Sequence, residues 1–254
     1  MLFKEIVFGP IHSRRLGISL GINLLPVKSK VCNFNCIYCE CGWNPSIVEK
    51  NFNKSCDVKI ALEKKLIEMQ KNSICPDSIT FSGNGEPTMH PNFLEIINNT
   101  IELRNKYAPT AKVSVLSNAT MLDNPEIIYA LQLVDNPILK LDSGINKTAV
   151  LINKPQFNYS LEKTVENMQA LKNKMILQTM FLRGNYNGKK IDNTNQTEIT
   201  AWINIIRKIY PREIMIYTID RIPPASNLQK ISFDELENIA NIARSFGYKL
   251  LVAK

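Results

Sequence analysis

From residue 58 onward, the apolar residues recur at helical spacing in some segments and form short continuous runs in others. The helical spacing predicts helices over residues 58–71, 93–107, 125–133, 161–172, 198–209 and 233–245. The apolar runs predict strands over residues 78–82, 112–116, 138–141, 175–182, 213–219 and 248–252. Strands that alternate with helices in this way indicate βα units and a parallel sheet.

The first part of the chain has a different pattern. Residues 1–26 are punctuated by glycines and predict an extended N-terminal segment, in which the alternation in L-G-I-S-L-G-I-N-L indicates a hairpin. Residues 27–57 form a cysteine-bearing loop, whose last part, 48–57, is polar and predicted to be irregular. A complete eight-stranded barrel needs about 250 residues, so residues 58–254 leave room for about six βα units. The sequence therefore predicts an α/β fold, a partial and open (β/α)6 TIM-like barrel, in a single domain of residues 1–254.

The composition is that of a globular protein. Of the 254 residues, 44% are hydrophobic and 21% are charged, which allows a sizeable core and argues against disorder. No apolar run approaches the roughly 20 residues that cross a bilayer, and the N-terminus lacks the pattern of a signal peptide. We therefore expect a cytoplasmic protein without a membrane partner. In a reducing compartment, the six cysteines are metal ligands or free thiols rather than disulfides.

The net charge permits an acidic partner but does not require one. The chain has 31 Lys plus Arg against 23 Asp plus Glu, a formal charge of +8, which is compatible with binding to RNA. However, no run of five or six like charges occurs. The chain is also rich in lysine and asparagine, and such a compositional bias raises the number of lysines without any binding role.

Four cysteines, Cys32, Cys36, Cys39 and Cys41, lie close together between Val31 and Gly42. Cys32, Cys36 and Cys39 have the spacing C-x3-C-x2-C. Three thiolates can ligate three irons of a [4Fe-4S] cluster, because each iron takes one sulfur from the protein. The fourth iron then remains open to a small chelating ligand. The spacing therefore predicts a catalytic cluster rather than one that only transfers electrons.

Zinc is the alternative for these cysteines. Cys41 would supply a fourth thiolate to a structural zinc site. Zinc ribbons usually place two cysteine pairs a dozen or more residues apart, so the spacing here favours the cluster. The sequence leaves open whether Cys56 or Cys75 binds a metal, and Cys75 is interpreted as a buried thiol. A zinc-binding or nucleic-acid-binding module without catalysis is kept as an alternative.

Polar residues follow the predicted strands, at the end where the site of a TIM-like barrel lies. After the strand at 78–82 comes G-N-G-E-P, in which glycines let the backbone approach a ligand and a carboxylate can accept from an ammonium group. The types of residue found after the later strands can bind a ribose or an amino acid carboxylate, although Ser, Asn and Asp are also preferred helix caps. These later residues are Ser117, Asn118, Asp142 and Ser143, with Gln178 and Tyr217 lining the interior.

The cysteine loop, with Tyr38 before its third cysteine, and the G-N-G-E-P turn resemble the signature motifs of the radical S-adenosylmethionine (SAM) superfamily. In that family, three cysteines hold a [4Fe-4S] cluster, SAM chelates the open iron, and the aromatic residue lies along the adenine. The resemblance implies that Cys32, Cys36 and Cys39 are the catalytic, iron-ligating residues. The predicted SAM contacts are Tyr38, Gly83, Asn84, Gly85, Glu86, Pro87, Ser117, Asn118, Asp142, Ser143, Gln178 and Tyr217, with Asn84 in place of a glycine of the family motif.

A closer resemblance lies in F-G-P-I-H-S-R-R-L-G and Y-T-I-D-R-I-P-P, which are similar to the bacterial group related to wyosine-forming tRNA enzymes. Candidate substrate contacts are His12, Arg14, Arg15, Arg183 and Arg221. Arginine forks suit phosphate or carboxylate, although structural ion pairs explain such residues about as often. Wyosine-forming enzymes have further cysteines for a second cluster, whereas this chain has none before its signature loop. This departure argues against the wyosine reaction itself.

The resemblance implies an iron-sulfur enzyme of the oxidoreductase or lyase type. A reductant such as flavodoxin or ferredoxin would supply one electron, and SAM would be cleaved to methionine and a 5'-deoxyadenosyl radical. The radical would abstract a hydrogen atom from an unidentified substrate. The substrate is a small molecule or, in the alternative reading of a tRNA-modifying enzyme, a tRNA.

Overall fold

The computed structural model describes residues 2–46 and 51–253, which divide into two compact units. The first unit contains the described residues of 1–32, 44–117 and 123–137, and the second those of 33–43, 118–122 and 138–254. Among the helices that the structure describes, none has the length and apolar character needed to span a membrane. The single domain of the sequence analysis stays a prediction.

The first unit contains a hairpin followed by parallel strands and helices. Its elements are β1 (Val7–Ser13), β2 (Gly17–Ile22), α1 (Ser55–Lys71), β3 (Ser78–Phe81), α2 (Phe93–Tyr107), β4 (Lys112–Ser117) and α3 (Pro125–Leu133). Strand β1 pairs antiparallel with β2, and β3 pairs in parallel with both β2 and β4. The predicted N-terminal hairpin is therefore confirmed.

The second unit contains a parallel sheet and a small antiparallel one. Its elements are β5 (Asn136–Lys140, of which the last three residues belong to this unit), α4 (Asn146–Asn153), α5 (Leu161–Met168), β6 (Ile176–Met180), β7 (Leu182–Tyr186), β8 (Lys189–Asp192), α6 (Gln196–Ile209), β9 (Glu213–Tyr217), β10 (Leu228–Lys230), α7 (Phe233–Ser245) and β11 (Leu250–Val252). Strands β5, β6, β9 and β11 pair in parallel in that order. Strand β7 pairs antiparallel with β8 and β10.

Most predicted elements are present, and the expected α/β class with parallel strands is confirmed. Helices α2, α3 and α7 have the predicted bounds. The irregular segment predicted up to residue 57 is wrong at its end, because α1 begins at Ser55, while residues 48–50 of that segment lie outside the described residues. The strand predicted over 175–182 is β6, which ends at Met180, and only its last predicted residue, Leu182, belongs to β7. Helix α4 and the antiparallel strands β7, β8 and β10 were not predicted.

A line of buried hydroxyl groups crosses the strands of the first unit. Ser19 Oγ and Ser78 Oγ each lie within 2.9 Å of Thr80 Oγ1, at 2.8 and 2.9 Å. Ser78 Oγ also lies 2.8 Å from Ser114 Oγ, to which Asn136 Nδ2 donates at 3.1 Å. Buried polar groups must be hydrogen-bonded to avoid a desolvation cost. This line therefore links β2, β3 and β4 by side chains as well as by the backbone.

We predict that Thr80→Val destabilises the protein by about 1–3 kcal/mol, because the hydroxyls of Ser19 and Ser78 lose their shared partner in the core. The free energy of unfolding from a urea titration measures this effect. Thr197→Val, at an exposed position of α6, is the control and should change stability by no more than about 0.5 kcal/mol. Equal stabilities of the two variants would show that the hydroxyl line contributes nothing.

Candidate active site

The G-N-G-E-P turn of the first unit packs against the residue that precedes Cys32. Val31 N donates to Asn84 O at 2.8 Å, and Glu86 N donates to Val31 O at 3.0 Å. Gly85 has a φ of +141°, and a Cβ added there would lie 1.8 Å from Val31 O. A glycine is required at this position because two stretches of backbone meet there directly. The turn predicted to bind SAM is thereby fixed one residue from the first predicted cluster ligand.

Asn84 anchors this turn through its side chain. Its Nδ2 donates to Phe3 O and Pro26 O, both at 2.9 Å, and its Oδ1 accepts from Phe3 N at 2.8 Å. Its backbone N donates to Asn23 Oδ1 at 3.1 Å, and the residue is fully buried. The side chain that departs from the family motif therefore holds the N-terminal segment against the turn. Its predicted contact with SAM stays a prediction.

Glu86 is only 3% exposed, so it does not face bulk solvent. Its Oε1 accepts from Thr88 N at 3.1 Å and from Thr88 Oγ1 at 2.6 Å, which caps the short 3-10 helix Pro87–Met89. These bonds fix the carboxylate next to Gly85. Cys32 is half-buried, and its carbonyl accepts from Asn44 Nδ2 at 2.8 Å.

In the second unit, the remainder of the cysteine loop lies on the end of α4. Asn35 N donates to Asn153 O at 2.9 Å, and Ile37 N donates to Ile152 O at 3.0 Å. The last carbonyls of a helix have no partner within the helix, so the loop amides satisfy them. Cys36 is buried and its Sγ contacts Asn153 Oδ1 at 3.5 Å. Helix α4 thus determines where this part of the loop lies.

The side chains at the end of β5 form a buried polar network with this loop. Lys140 Nζ lies 3.0 Å from Cys36 Sγ and 3.1 Å from Asp142 Oδ2, and 4.4 Å from the ring centre of Tyr38. Tyr38 Oη donates to Asp142 Oδ2 at 2.5 Å. Asp142 Oδ1 accepts from Met180 N at 3.0 Å. One lysine therefore joins a predicted cluster ligand to two predicted SAM contacts.

The pKa values of Lys140, Cys36 and Tyr38 are shifted in this network. Burial opposes the charge of Lys140, but the Asp142 carboxylate and the Cys36 sulfur outweigh it and raise the lysine pKa. Burial raises the pKa of the Cys36 thiol, although Lys140 favours the thiolate. Burial and the neighbouring Asp142 also raise the pKa of Tyr38 well above its usual range. Lys140 therefore carries a charge in the interior, and Tyr38 remains a hydrogen-bond donor.

Gln178 lies beside Lys140 in the register of β5 and β6. Paired residues of neighbouring strands point to the same face of the sheet. Gln178 is 8% exposed, and its Nε2 is buried without a hydrogen-bond partner among the described residues. Tyr217, in β9, interacts electrostatically with Lys140 and Tyr38. An unpaired buried amide beside charged groups suits a polar ligand.

Two other predicted SAM contacts of the second unit bind protein groups. Ser143 Oγ donates to Glu198 Oε2 at 2.6 Å. Asn118 Nδ2 donates to Asn33 Oδ1 at 2.7 Å, and its Oδ1 accepts from Thr120 N at 3.1 Å. In the first unit, Ser117 is buried at the end of β4. Direct contacts of these residues with SAM stay predictions.

The candidate substrate residues lie in different settings. His12 and Arg14 are exposed on the hairpin, and Arg15 is half-buried. Arg183 forms an ion pair with Glu235 at 2.7 Å, and Arg221 forms one with Glu40 at 2.7 Å. The ion-pair alternative therefore accounts for these two arginines, and their roles as substrate contacts stay predictions.

Sequence reasoning missed one member of the network and misjudged one cysteine. Lys140 was not singled out, although a lysine in the apolar run I-L-K-L was a usable signal. The interpretation of Cys75 as a buried thiol is wrong, because Cys75 is exposed in the turn before β3, where its Sγ lies 3.4 Å from Thr110 Oγ1. None of the six cysteines forms a disulfide, and no set of three His, Cys, Asp or Glu within the described ranges is arranged around a single metal ion.

The residues present suit an iron-sulfur cluster and SAM. Thiolates that bind different irons of a cubane need not converge on one point, and the spacing C-x3-C-x2-C supplies three of them. The glycine turn excludes any side chain at Gly85, and Gln178 offers an unpaired buried amide. The unpaired amide fits a polar ligand, and the lack of a side chain at Gly85 lets the turn pack directly on Val31, next to the first of the three cysteines.

Comparison with known proteins agrees with this chemistry. The family model described as Radical SAM superfamily matches residues 27–197. A UPF0026 protein of Helicobacter pylori strain J99 is 31% identical over 234 residues, which are 91% of this chain and 71% of that protein. A UPF0026 protein of Methanocaldococcus jannaschii is 30% identical over 183 residues, 70% of this chain and 54% of that protein.

Solved structures share the fold at low sequence identity. A radical SAM methyltransferase from Sphaerobacter thermophilus has a TM-score of 0.69 at 10% identity, over 92% of this chain and 65% of that one. SuiB of Streptococcus suis bound to S-adenosylmethionine has a TM-score of 0.63 at 12% identity, over 92% of this chain and 50% of that one. This likeness confirms the predicted fold class. The family match over residues 27–197 shows that this chain belongs to the radical SAM superfamily.

Proposed function

We propose that this chain holds one [4Fe-4S] cluster on Cys32, Cys36 and Cys39 and uses it with SAM to begin radical chemistry on an organic substrate. The observation that carries the proposal is the backbone bridge between Val31 and Gly85, with its bonds of 2.8 and 3.0 Å. This bridge joins the start of the cysteine loop to the turn that resembles the SAM-binding motif. The spacing of three thiols and the membership of the superfamily support the cluster.

When bound, the cluster supplies an electron that cleaves SAM to methionine and a 5'-deoxyadenosyl radical, which takes a hydrogen atom from the substrate. The cofactors carry this chemistry, and the protein binds and orients them. Glu86, held by Thr88, accepts from the SAM ammonium group. The hydroxyl of Tyr38 is fixed by Asp142 at 2.5 Å, which keeps its ring in one orientation for the adenine. The unpaired Gln178 amide donates to a polar atom of the ligand.

The reductant is a low-potential one-electron donor such as flavodoxin or ferredoxin, and the reaction is of the oxidoreductase or lyase type in the cytoplasm. The substrate is an organic molecule whose C–H bond must lie close to the SAM 5' carbon, which is a requirement of positioning. A tRNA substrate stays a prediction that rests on the net charge of +8 and the resemblance to wyosine-forming enzymes.

We predict that replacing Cys32, Cys36 or Cys39 by Ala lowers SAM cleavage below detection, because the cluster loses one of its three thiolates. The wild-type protein, purified anaerobically, should hold about four irons per chain. The measurement is 5'-deoxyadenosine formed with dithionite, together with iron and zinc content.

Cys75→Ala is the control, since Cys75 is exposed outside the loop, and it should retain iron and cleavage. Cys41→Ala separates the cluster from the zinc alternative, because a four-thiolate zinc site would lose its metal. A colourless wild-type protein with one zinc, or an iron-loaded Cys36→Ala variant that still forms 5'-deoxyadenosine, would contradict the proposal.

We predict that Gly85→Ala weakens SAM binding by about tenfold or more, equivalent to at least about 1.4 kcal/mol. The new Cβ would overlap Val31 O at 1.8 Å, so the turn must move away from the cysteine loop. Equilibrium dialysis of labelled SAM against the cluster-loaded protein measures this change.

Gly188→Ala is the matched control, because Gly188 also has a positive φ, +74°, but no atom within 4 Å of an added Cβ. It should cost about 1 kcal/mol of stability through backbone strain alone and leave SAM affinity unchanged. If both variants bound SAM like the wild type, the turn would not form part of the SAM site.

A further inference from the structure

Lys140 is a half-buried cation that contacts Cys36, one of the three proposed iron ligands. It ends strand β5, and its side chain is 15% exposed. A buried ammonium is costly unless it is paired, and its Nζ lies 3.0 Å from Cys36 Sγ and 3.1 Å from Asp142 Oδ2. The chain therefore maintains a positive charge in contact with one of its three proposed iron ligands.

The ammonium of Lys140 lies at nearly equal distances from the Cys36 sulfur and the Asp142 carboxylate. The groups that interact with it electrostatically are Asp142, Cys36 and Tyr217, and the ring of Tyr38 lies below its ammonium at 4.4 Å. Asp142 shares its carboxylate with other donors, since it also accepts from the hydroxyl of Tyr38 and from a backbone amide. The carboxylate holds the lysine in place, and Cys36 Sγ lies within hydrogen-bonding distance of the same ammonium.

We propose that Lys140 is a positioning residue that donates a hydrogen bond to the Cys36 thiolate and raises the reduction potential of the cluster bound there. This inference rests on the proposed function. Hydrogen bonds to cluster sulfurs help to set the potential, as does net charge. Reduction adds one electron to the cluster, and a nearby positive charge stabilises this more negative state. Lys140 would therefore make the cluster easier to reduce by the low-potential donor.

The test compares Lys140→Met, which removes the charge, with Lys140→Arg, which keeps it. Each protein is loaded with its cluster anaerobically and titrated without SAM, and the reduced cluster is followed by electron paramagnetic resonance. At the wild-type midpoint, the ratio of reduced to oxidised cluster in Lys140→Met should fall about tenfold, a shift of about −59 mV for one electron. Lys140→Arg should shift the midpoint less.

Lys154→Met is the matched control. Lys154 is also a half-buried lysine of the second unit, and its Nζ lies 4.7 Å from the Trp43 ring and 4.8 Å from the Tyr186 ring. It follows Asn153, which touches Cys36, but it donates to the Tyr186 hydroxyl at 2.6 Å. Its removal should leave the midpoint potential unchanged. An equal shift in Lys154→Met would overturn the specific role of Lys140.

A second measurement uses the wild-type protein and does not depend on how a variant folds. In protein labelled with 15N at the lysine ζ position, pulsed paramagnetic resonance of the reduced cluster should detect one coupled 15N nucleus. Absence of this coupling would overturn the proposed hydrogen bond.

A measurement of SAM affinity tests the alternative that the Lys140 ammonium binds SAM instead of setting the potential of the cluster. If Lys140→Met weakens SAM binding but leaves the midpoint potential in place, the lysine binds the ligand and the inference is wrong. A different result contradicts the proposed function: the wild-type protein holds no cluster, or its loaded cluster does not cleave SAM. A loaded and active wild type with an unchanged midpoint in Lys140→Met overturns the inference alone.

Discussion

Two hydrogen bonds between backbones, one from Val31 N to Asn84 O and one from Glu86 N to Val31 O, join the cysteine loop to the glycine turn. They form only because Gly85 has no side chain at a position where a Cβ would overlap Val31 O. Asn84 then fixes the other side of the turn to Phe3 and Pro26. The positions of Cys32 and Glu86 in the first unit therefore follow from direct packing of main chain on main chain, which leaves no room for a side chain at Gly85.

The second unit holds its part of the loop by different means. The carbonyls at the end of α4 accept hydrogen bonds from the amides of Asn35 and Ile37. Lys140, the last residue of β5, contacts Cys36, and Asp142 accepts a hydrogen bond from the Tyr38 hydroxyl. Helix ends and buried ion networks are both sites where polar groups need partners. Beside this network, the buried Nε2 of Gln178 has no hydrogen-bond partner among the described residues. An unpaired buried amide of this kind suits a polar ligand, and a contact of Gln178 with SAM stays a prediction.

Buried polar groups outside the candidate site also form hydrogen bonds with one another, and these stabilise the fold. The hydroxyls of Ser19, Ser78, Thr80 and Ser114 satisfy one another across β2, β3 and β4. Ser143 and Glu198 do so in the second unit. A polar residue after a strand is thus ambiguous from sequence alone, because it serves a ligand or a neighbouring element equally well. Arg183 and Arg221 show this, since both form ion pairs with glutamates of the chain.

The sequence by itself determined the features that depend on residues close along the chain: the cysteine spacing from Cys32 to Cys39, the glycine turn, and the alternation of strands and helices. It also predicted the fold class, because hydrophobic periodicity is local. Only the tertiary structure decided which groups meet from a distance. Lys140 and Cys36 are 104 positions apart, and Asn84 and Phe3 are 81 apart. No local pattern encodes such pairs, because their contact exists only once the strands between them have packed.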